Sequence, residues 1–231
     1  MPKWRKTTGT LIFSMDFDAL RRTMIDTQIR TWDVLDPRVL ATVAQVKREL
    51  FVPTPYRHLA FADFNLPLGH GEIMWTPKME ARVLQELDLR EQDRVLEIGT
   101  GSGYLTALMA QLAGMVHSVE DRAELSRTAE GCLRVQGVHN AHLHVGDGSL
   151  GWAGNAPYDA ICITGSLPVL PDAFKEQLTI GGRLIAILGT GPAMRVRRIV
   201  HSQPGIFESS ELFETEVPPL RHKPLPTRFV F

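Results

Sequence analysis

Apolar positions along the chain change spacing several times, and those changes divide it into elements. From Asp16, residues Phe17, Leu20, Met24 and Ile29 make a loose helical stripe with arginine and aspartate between them. Asp36-Pro37 has the form of an N-cap followed by proline at the first helical position, with Val39, Leu40, Val43 and Val46 as the apolar face behind it. Phe51-Val-Pro-Thr-Pro55 stops that helix, because proline lacks an N–H and biases its predecessor away from helix. Residues 61–77 hold two glycines and two prolines, which predicts an ordered loop that forms a lid or substrate wall. Thr76-Pro77 then caps a helix carrying Met79, Val83, Leu84 and Leu87. Residues 15–90 are thus expected to form a helical lobe with a loop.

From residue 91 strands and helices alternate. Residues 95–98 read as a buried strand, Gly99, Gly101 and Gly103 as a turn, and Leu105, Leu108, Met109 and Leu112 as one face of a helix. Strands follow at 115–119, 141–145, 158–164 and 183–188, with helices at 121–135 and 171–178. That order predicts an α/β fold with a doubly wound, mostly parallel sheet. Residues 194–201 and 206–213 alternate around Gln203-Pro-Gly205 with no helix between them, so they read as an antiparallel pair closing the sheet. The proline-rich tail from Pro218 reads as an irregular surface strap. Residues 1–14 are basic, with only three consecutive apolar residues, too few for a signal-peptide core. They are expected to be a disordered tail ahead of one domain over 15–231.

Composition adds exclusions. A net charge of −1 gives no global attraction to nucleic acid or anionic lipid, and no apolar run approaches the ~20 residues of a membrane span. Cys132 and Cys162 fall in a predicted helix and a predicted strand, as reduced core residues of a cytoplasmic protein, and no zinc-ligand spacing surrounds them, so no metal is expected. Arg195-Val-Arg-Arg198 lacks aromatic platforms and reads as a solvated strand face, not a nucleic-acid patch.

The chemistry concentrates at the glycine turn. A dinucleotide site needs glycine or alanine at the sixth place of its fingerprint, whereas here Gly103 comes one residue early and Tyr104 occupies that place. The bulk of Tyr104 is expected to keep the helix off a pyrophosphate, which favours a ligand without phosphates. Glu120 ends the second strand, 21 positions after Gly99, where a carboxylate can accept from both ribose hydroxyls. Asp147 ends the third strand between glycines, placed for an adenine amine. Together these imply S-adenosylmethionine, held by Glu97, Gly99, Thr100, Gly101, Ser102, Gly103, Glu120, Asp147 and Gly148.

Residues 95–104, Ser118-Val-Glu120, Val145-Gly-Asp-Gly148, Phe51-Val-Pro53, Tyr56-Arg-His-Leu-Ala60, Leu66-Pro-Leu-Gly-His-Gly71 and Gln177-Leu-x-x-Gly-Gly-Arg-Leu184 resemble the motifs of protein-L-isoaspartate O-methyltransferases. The resemblance implies a class I methyltransferase fold, S-adenosylmethionine as donor, and a damaged protein or peptide with an isoaspartyl residue as acceptor. A carboxylate acceptor is already ionised at neutral pH and needs no general base. In the family's loop, Gly-x-Gly-Gln-Thr-Ile-Ser-x-Pro, the serine holds the substrate carboxylate. Here Trp75 stands at that serine and Glu72 at the glutamine, with Thr76 offering a hydroxyl one residue on. An indole donates one hydrogen bond, and an acid facing the pocket would repel a carboxylate. Thr164 and Ser166 complete the expected rim, and His70 is expected to be structural. Two other readings stay open: the same fold acting on a small molecule or another protein group, and a donor-binding protein without catalysis.

Overall fold

The computed structural model describes residues 15–223, so the expected disordered tail lies outside the described residues. Side-chain caps start the helical lobe. Asp16 accepts from the Ala19 N–H at 3.0 Å to begin α1 (Phe17–Met24), which runs on as a π-turn over Ile25–Ile29. The predicted stripe is rotated here. Leu20 is exposed while Arg21 is buried, because its guanidinium pairs with Glu49 at 2.6 Å and Asp18 at 2.7 Å. Asp36 accepts from the Arg38 N–H at 2.8 Å at the start of α2 (Pro37–Gln45), with Val39, Leu40 and Val43 buried as expected.

Within the expected loop the chain makes a hairpin. Strands β1 (Leu66–Gly69) and β2 (Glu72–Met74) pair antiparallel, and His70 and Gly71 turn the corner, both at positive φ. Two such residues match the right-handed twist of short strands. The Thr76 hydroxyl then accepts from the Met79 N–H at 3.3 Å and caps α3 (Pro77–Leu87).

The main sheet comprises β3 (Arg94–Ile98), β4 (Met115–Glu120), β5 (Ala141–Val145), β6 (Tyr158–Leu167), β7 (Leu178–Thr190), β8 (Ala193–Gln203) and β9 (Ile206–Thr215). Helices α4 (Tyr104–Leu112), α5 (Ala123–Val135) and α6 (Asp172–Glu176) connect them. The spatial order is β5-β4-β3-β6-β7-β8-β9, parallel through β7 and antiparallel beyond it. The chain moves outward from β3 to β5 and then returns to the other side of β3 with β6. The crevice outside the carboxyl ends of the strands at such a reversal is where open α/β sheets bind ligands.

Both sheet faces are covered. Val95 joins a core shared with the helical lobe (Met24, Ile29, Val43, Leu84) and α4 (Leu108), while its neighbours Leu96 and Ile98 join a second core with Ile161, Ile163 and Phe174. That alternation is the period of a strand buried on both sides. Arg195 and Arg197 pair with Glu211 of β9 on an exposed face, as the solvated reading requires. Among the described residues no helix is long and apolar enough to cross a membrane.

At the β5 edge, His117 of β4 lies against His142 and His144, with ring centroids 5.5 and 5.4 Å apart. Burial and the two neighbouring rings push His117 down to about 4. Its neutral form therefore favours the folded state, and that stabilisation is present above pH 6.5 and lost as pH falls toward 4. Urea denaturation is expected to show up to about 2 kcal/mol less stability at pH 5 than at pH 7 from this group. His117→Gln should flatten that difference.

Candidate active site

The carboxyl ends of β3, β4, β5 and β6 line a cleft that opens to solvent. Its floor is the glycine turn. Gly99 sits at φ +94°, and its N–H donates to the Val119 carbonyl at 2.8 Å. A Cβ there would stand 2.1 Å from the Thr164 Oγ1, which donates to the carbonyls of Ile98 and Gly99. Thr164 thus lines the cleft but uses its hydroxyl proton to tie β6 to the turn. Gly103, outside the lining, caps α4 at φ +81°, and a Cβ there would meet Ala129 of α5 at 2.9 Å. It packs α4 against α5.

Three acids face this floor. Glu97 is fully buried, and its Oε2 accepts from the hydroxyls of Ser118 and Thr106, both at 2.5 Å. Ser118 also meets the Thr100 hydroxyl at 2.5 Å, so the network pins the turn to β3 and β4. Glu97 Oε1 is buried with no partner among the described residues. Burial pushes this carboxyl up to about 8, the two hydroxyls pull it down, and the charge of Glu120 pushes it up again.

Glu120 holds the turn from the side: Oε2 accepts from the Gly101 N–H at 2.9 Å and Oε1 from the Arg122 N–H at 3.1 Å. Burial raises its carboxyl above the ordinary range against those two bonds. Each carboxylate oxygen keeps a further lone pair for a ligand hydroxyl. Asp147 is exposed. Burial pushes it up, but the Ser149 N–H and hydroxyl and the nearby His222 outweigh that, so its carboxyl lies below the ordinary value.

Eight of the nine residues expected around the donor line one cleft, Gly103 being the exception. Tyr104 corrects the argument drawn from its bulk. Its ring is buried in the core against Phe51, 5.6 Å between centroids, and does not face the ligand side.

Of the acceptor candidates, Glu72, Trp75 and Thr164 line the cleft and Thr76 and Ser166 do not. Thr76 caps α3, and Ser166 is buried where its backbone pairs with the tail. Glu72 meets Arg122 Nε at 3.3 Å, which neutralises the acid. Trp75 is 5% exposed and its carbonyl accepts from Arg48 at 2.6 Å. That guanidinium is wholly buried. It also donates to the Ala60 carbonyl, pairs with Glu80, and lies 4.9 Å over the Tyr104 ring. Glu80 itself lines the cleft, unforeseen because its partner is 32 positions away. The His70 ring bonds Glu124 at 3.1 Å on the surface and does not line the cleft. Among the described residues no cluster of His, Cys, Asp or Glu could hold a metal ion.

Comparison with known proteins gives a consistent set. The family model described as protein-L-isoaspartate(D-aspartate) O-methyltransferase matches residues 20–223. Protein-L-isoaspartate O-methyltransferase 1 of Rhodopseudomonas palustris (strain HaA2) is 40% identical over 205 residues, covering 88% of this chain and 84% of that one. The Roseiflexus castenholzii protein-L-isoaspartate O-methyltransferase is 42% identical over 187 residues, covering 80% and 85%. A crystal structure of a candidate protein-L-isoaspartate O-methyltransferase from Plasmodium falciparum, bound to S-adenosyl-L-homocysteine, superposes with a TM-score of 0.75. It covers 90% of this chain and 99% of its own at 19% identity, a likeness of fold.

Proposed function

The chain belongs to the protein-L-isoaspartate(D-aspartate) O-methyltransferase family, and from that premise we propose that its cleft holds S-adenosylmethionine for methyl transfer to the carboxylate of isoaspartyl residues. One observation carries the donor assignment: a glycine turn and three acids, Glu97, Glu120 and Asp147, converge on one cleft at successive strand ends. The residues suit the donor's groups. Glu120 would accept from the ribose hydroxyls, Asp147 from the adenine amine, and the cleft-lining Glu97, with one unpartnered oxygen, from the donor's ammonium. A side chain at Gly99 would collide with the Thr164 hydroxyl and displace the turn. Gly99→Ala is expected to weaken S-adenosylhomocysteine binding at least about tenfold in titration calorimetry, whereas Gly181→Ala, also at positive φ but in open space, should keep it.

The bound donor supplies a methyl group already activated on a sulfonium. The chain's task is then to orient and to exclude water, a form of catalysis worth up to about 7–11 kcal/mol in favourable cases. The acceptor carboxylate arrives ionised, which accounts for a site without a free general base. The Glu72–Arg122 pair offsets part of the repulsion an isolated acid would exert on it. Cys132 and Cys162 are both free thiols, which supports a cytoplasmic setting.

Trp75 favours a second reading, an acceptor of another class, because an indole lines the cleft where the family's loop is expected to carry a carboxylate-holding serine. Label transferred from donor to an isoaspartyl peptide should leave as methanol in mild base, the behaviour of a carboxyl ester. No transfer to that peptide, with base-stable label on some other acceptor, would favour the second reading.

A further inference from the structure

Two separate stretches of chain cover the donor cleft, and both are fastened to the same short segment. From one side comes the β1–β2 hairpin. Its Leu68 lies directly over the turn, since a Cβ on Gly101 would be 3.2 Å from Leu68 Cδ1. Past the hairpin's corner, Arg122 holds it by two contacts, Nε to Glu72 at 3.3 Å and a terminal nitrogen to the His70 carbonyl at 3.3 Å.

From the other side comes the strap of residues 217–222. Its Pro218 carbonyl accepts from the Ser166 N–H at 3.0 Å, and its Leu220 N–H donates to the Ser166 carbonyl at 2.8 Å. Only glycine fits beneath it at Gly165, where a Cβ would stand 2.9 Å from the Leu220 backbone. Pro218, Pro219, Leu220, Arg221 and His222 all line the cleft. The strap's far end meets Asp121 Oδ2, with Arg221 at 3.0 Å and His222 at 3.5 Å. The Arg221 contact is a charge contact, not an aligned hydrogen bond, and that oxygen is otherwise buried without a partner.

Asp121 and Arg122 follow directly after Glu120, whose carboxylate accepts from the Arg122 N–H. One acid grips the turn while the next two side chains each grip one cover. We propose that Asp121 and Arg122 are positioning residues for the transfer reaction, a double latch that holds the hairpin and the strap closed over the donor. The hairpin carries Glu72 and leads directly into Trp75, the acceptor wall, so the latch sets donor and acceptor wall in one register. This rests on the cleft being the donor site.

The latch makes a kinetic statement. Its bonds are between partly exposed charges, each worth a modest amount and weakened by salt. They should govern how fast ligand leaves more than whether the protein folds. The test is stopped-flow dissociation of S-adenosylhomocysteine from the full chain, followed through tryptophan fluorescence with Trp75 in the cleft wall. Arg122→Ala is expected to speed release about fivefold and Asp121→Asn about threefold, with Arg122→Lys recovering part of the loss. Wild-type release should quicken from about 0.05 to 0.5 M salt, and that dependence should shrink in both variants. Ligand-free melting should stay within about 2 °C of wild type, which separates a latch from a general packing role. Release rates and salt dependence equal to wild type in both variants would overturn the latch while leaving the donor site standing. Absence of S-adenosylhomocysteine binding by the wild-type protein would overturn both.

Discussion

Arg48→Ala is expected to lower the folding free energy by about 3–5 kcal/mol, the range for breaking one side of a buried ion pair. The guanidinium is entirely enclosed and has four partners: Glu80, the carbonyls of Ala60 and Trp75, and the Tyr104 ring. Burial already pushes the Glu80 carboxyl up to about 8, Arg48 pulls it down, and Glu97 adds to the rise. Without Arg48 only the upward influences remain, and two carbonyls lose their donor. Urea denaturation should register the loss. Arg48→Met combined with Glu80→Leu should recover much of it, because replacing both members of a buried pair by apolar side chains is often close to neutral. The single change should also loosen the acceptor wall, since Arg48 fixes the Trp75 carbonyl. If the double variant proved as unstable as the single one, the pair would not be the source.

Glu120→Ala should have the largest effect on the donor. Two charge-assisted hydrogen bonds to ribose hydroxyls, at about 1.5–2 kcal/mol each, correspond to a loss of roughly 10²–10³-fold in affinity. The Gly101 N–H would lose its acceptor as well, which loosens the turn itself. Glu120→Gln keeps shape and one acceptor oxygen and should fall between. Calorimetric titration with S-adenosylhomocysteine measures both, and a loss under about fivefold for the alanine variant would remove Glu120 from the ribose-binding role.

What could be read from residues alone divides by range. The glycine turn, Glu97, Glu120 and Asp147 were legible because a strand end, a turn and an acid are local patterns, and parallel topology brings strand ends together. Caps at Asp36 and Thr76 were legible for the same reason. The hairpin was not, because its strands are four and three residues long and its signal was a corner of Gly-His-Gly instead of alternation. Leu20 and Arg21 exchanged their expected places because a remote acid, Glu49, outweighed the apolar stripe. Tyr104 fits the departure from a dinucleotide fingerprint, yet for a different reason than bulk against a ligand. The crowded glycine there is Gly103, where α4 meets α5. Arg48 with Glu80 and the strap over the cleft depend on contacts between distant parts of the chain. No spacing rule reports them.

Trp75, proposed to stand where the family's loop carries serine, bears on the acceptor half of the site and not on the donor half. Trp75 is packed, anchored through its carbonyl by Arg48, and still part of the cleft wall. The measurement that tests the account most directly is the initial rate of methyl transfer, at saturating donor, to an isoaspartyl peptide and to its aspartyl twin. Transfer to the isoaspartyl form alone, as a base-labile ester, is the expected result. Equal rates on the two peptides, or no transfer to either while the donor binds, would contradict it.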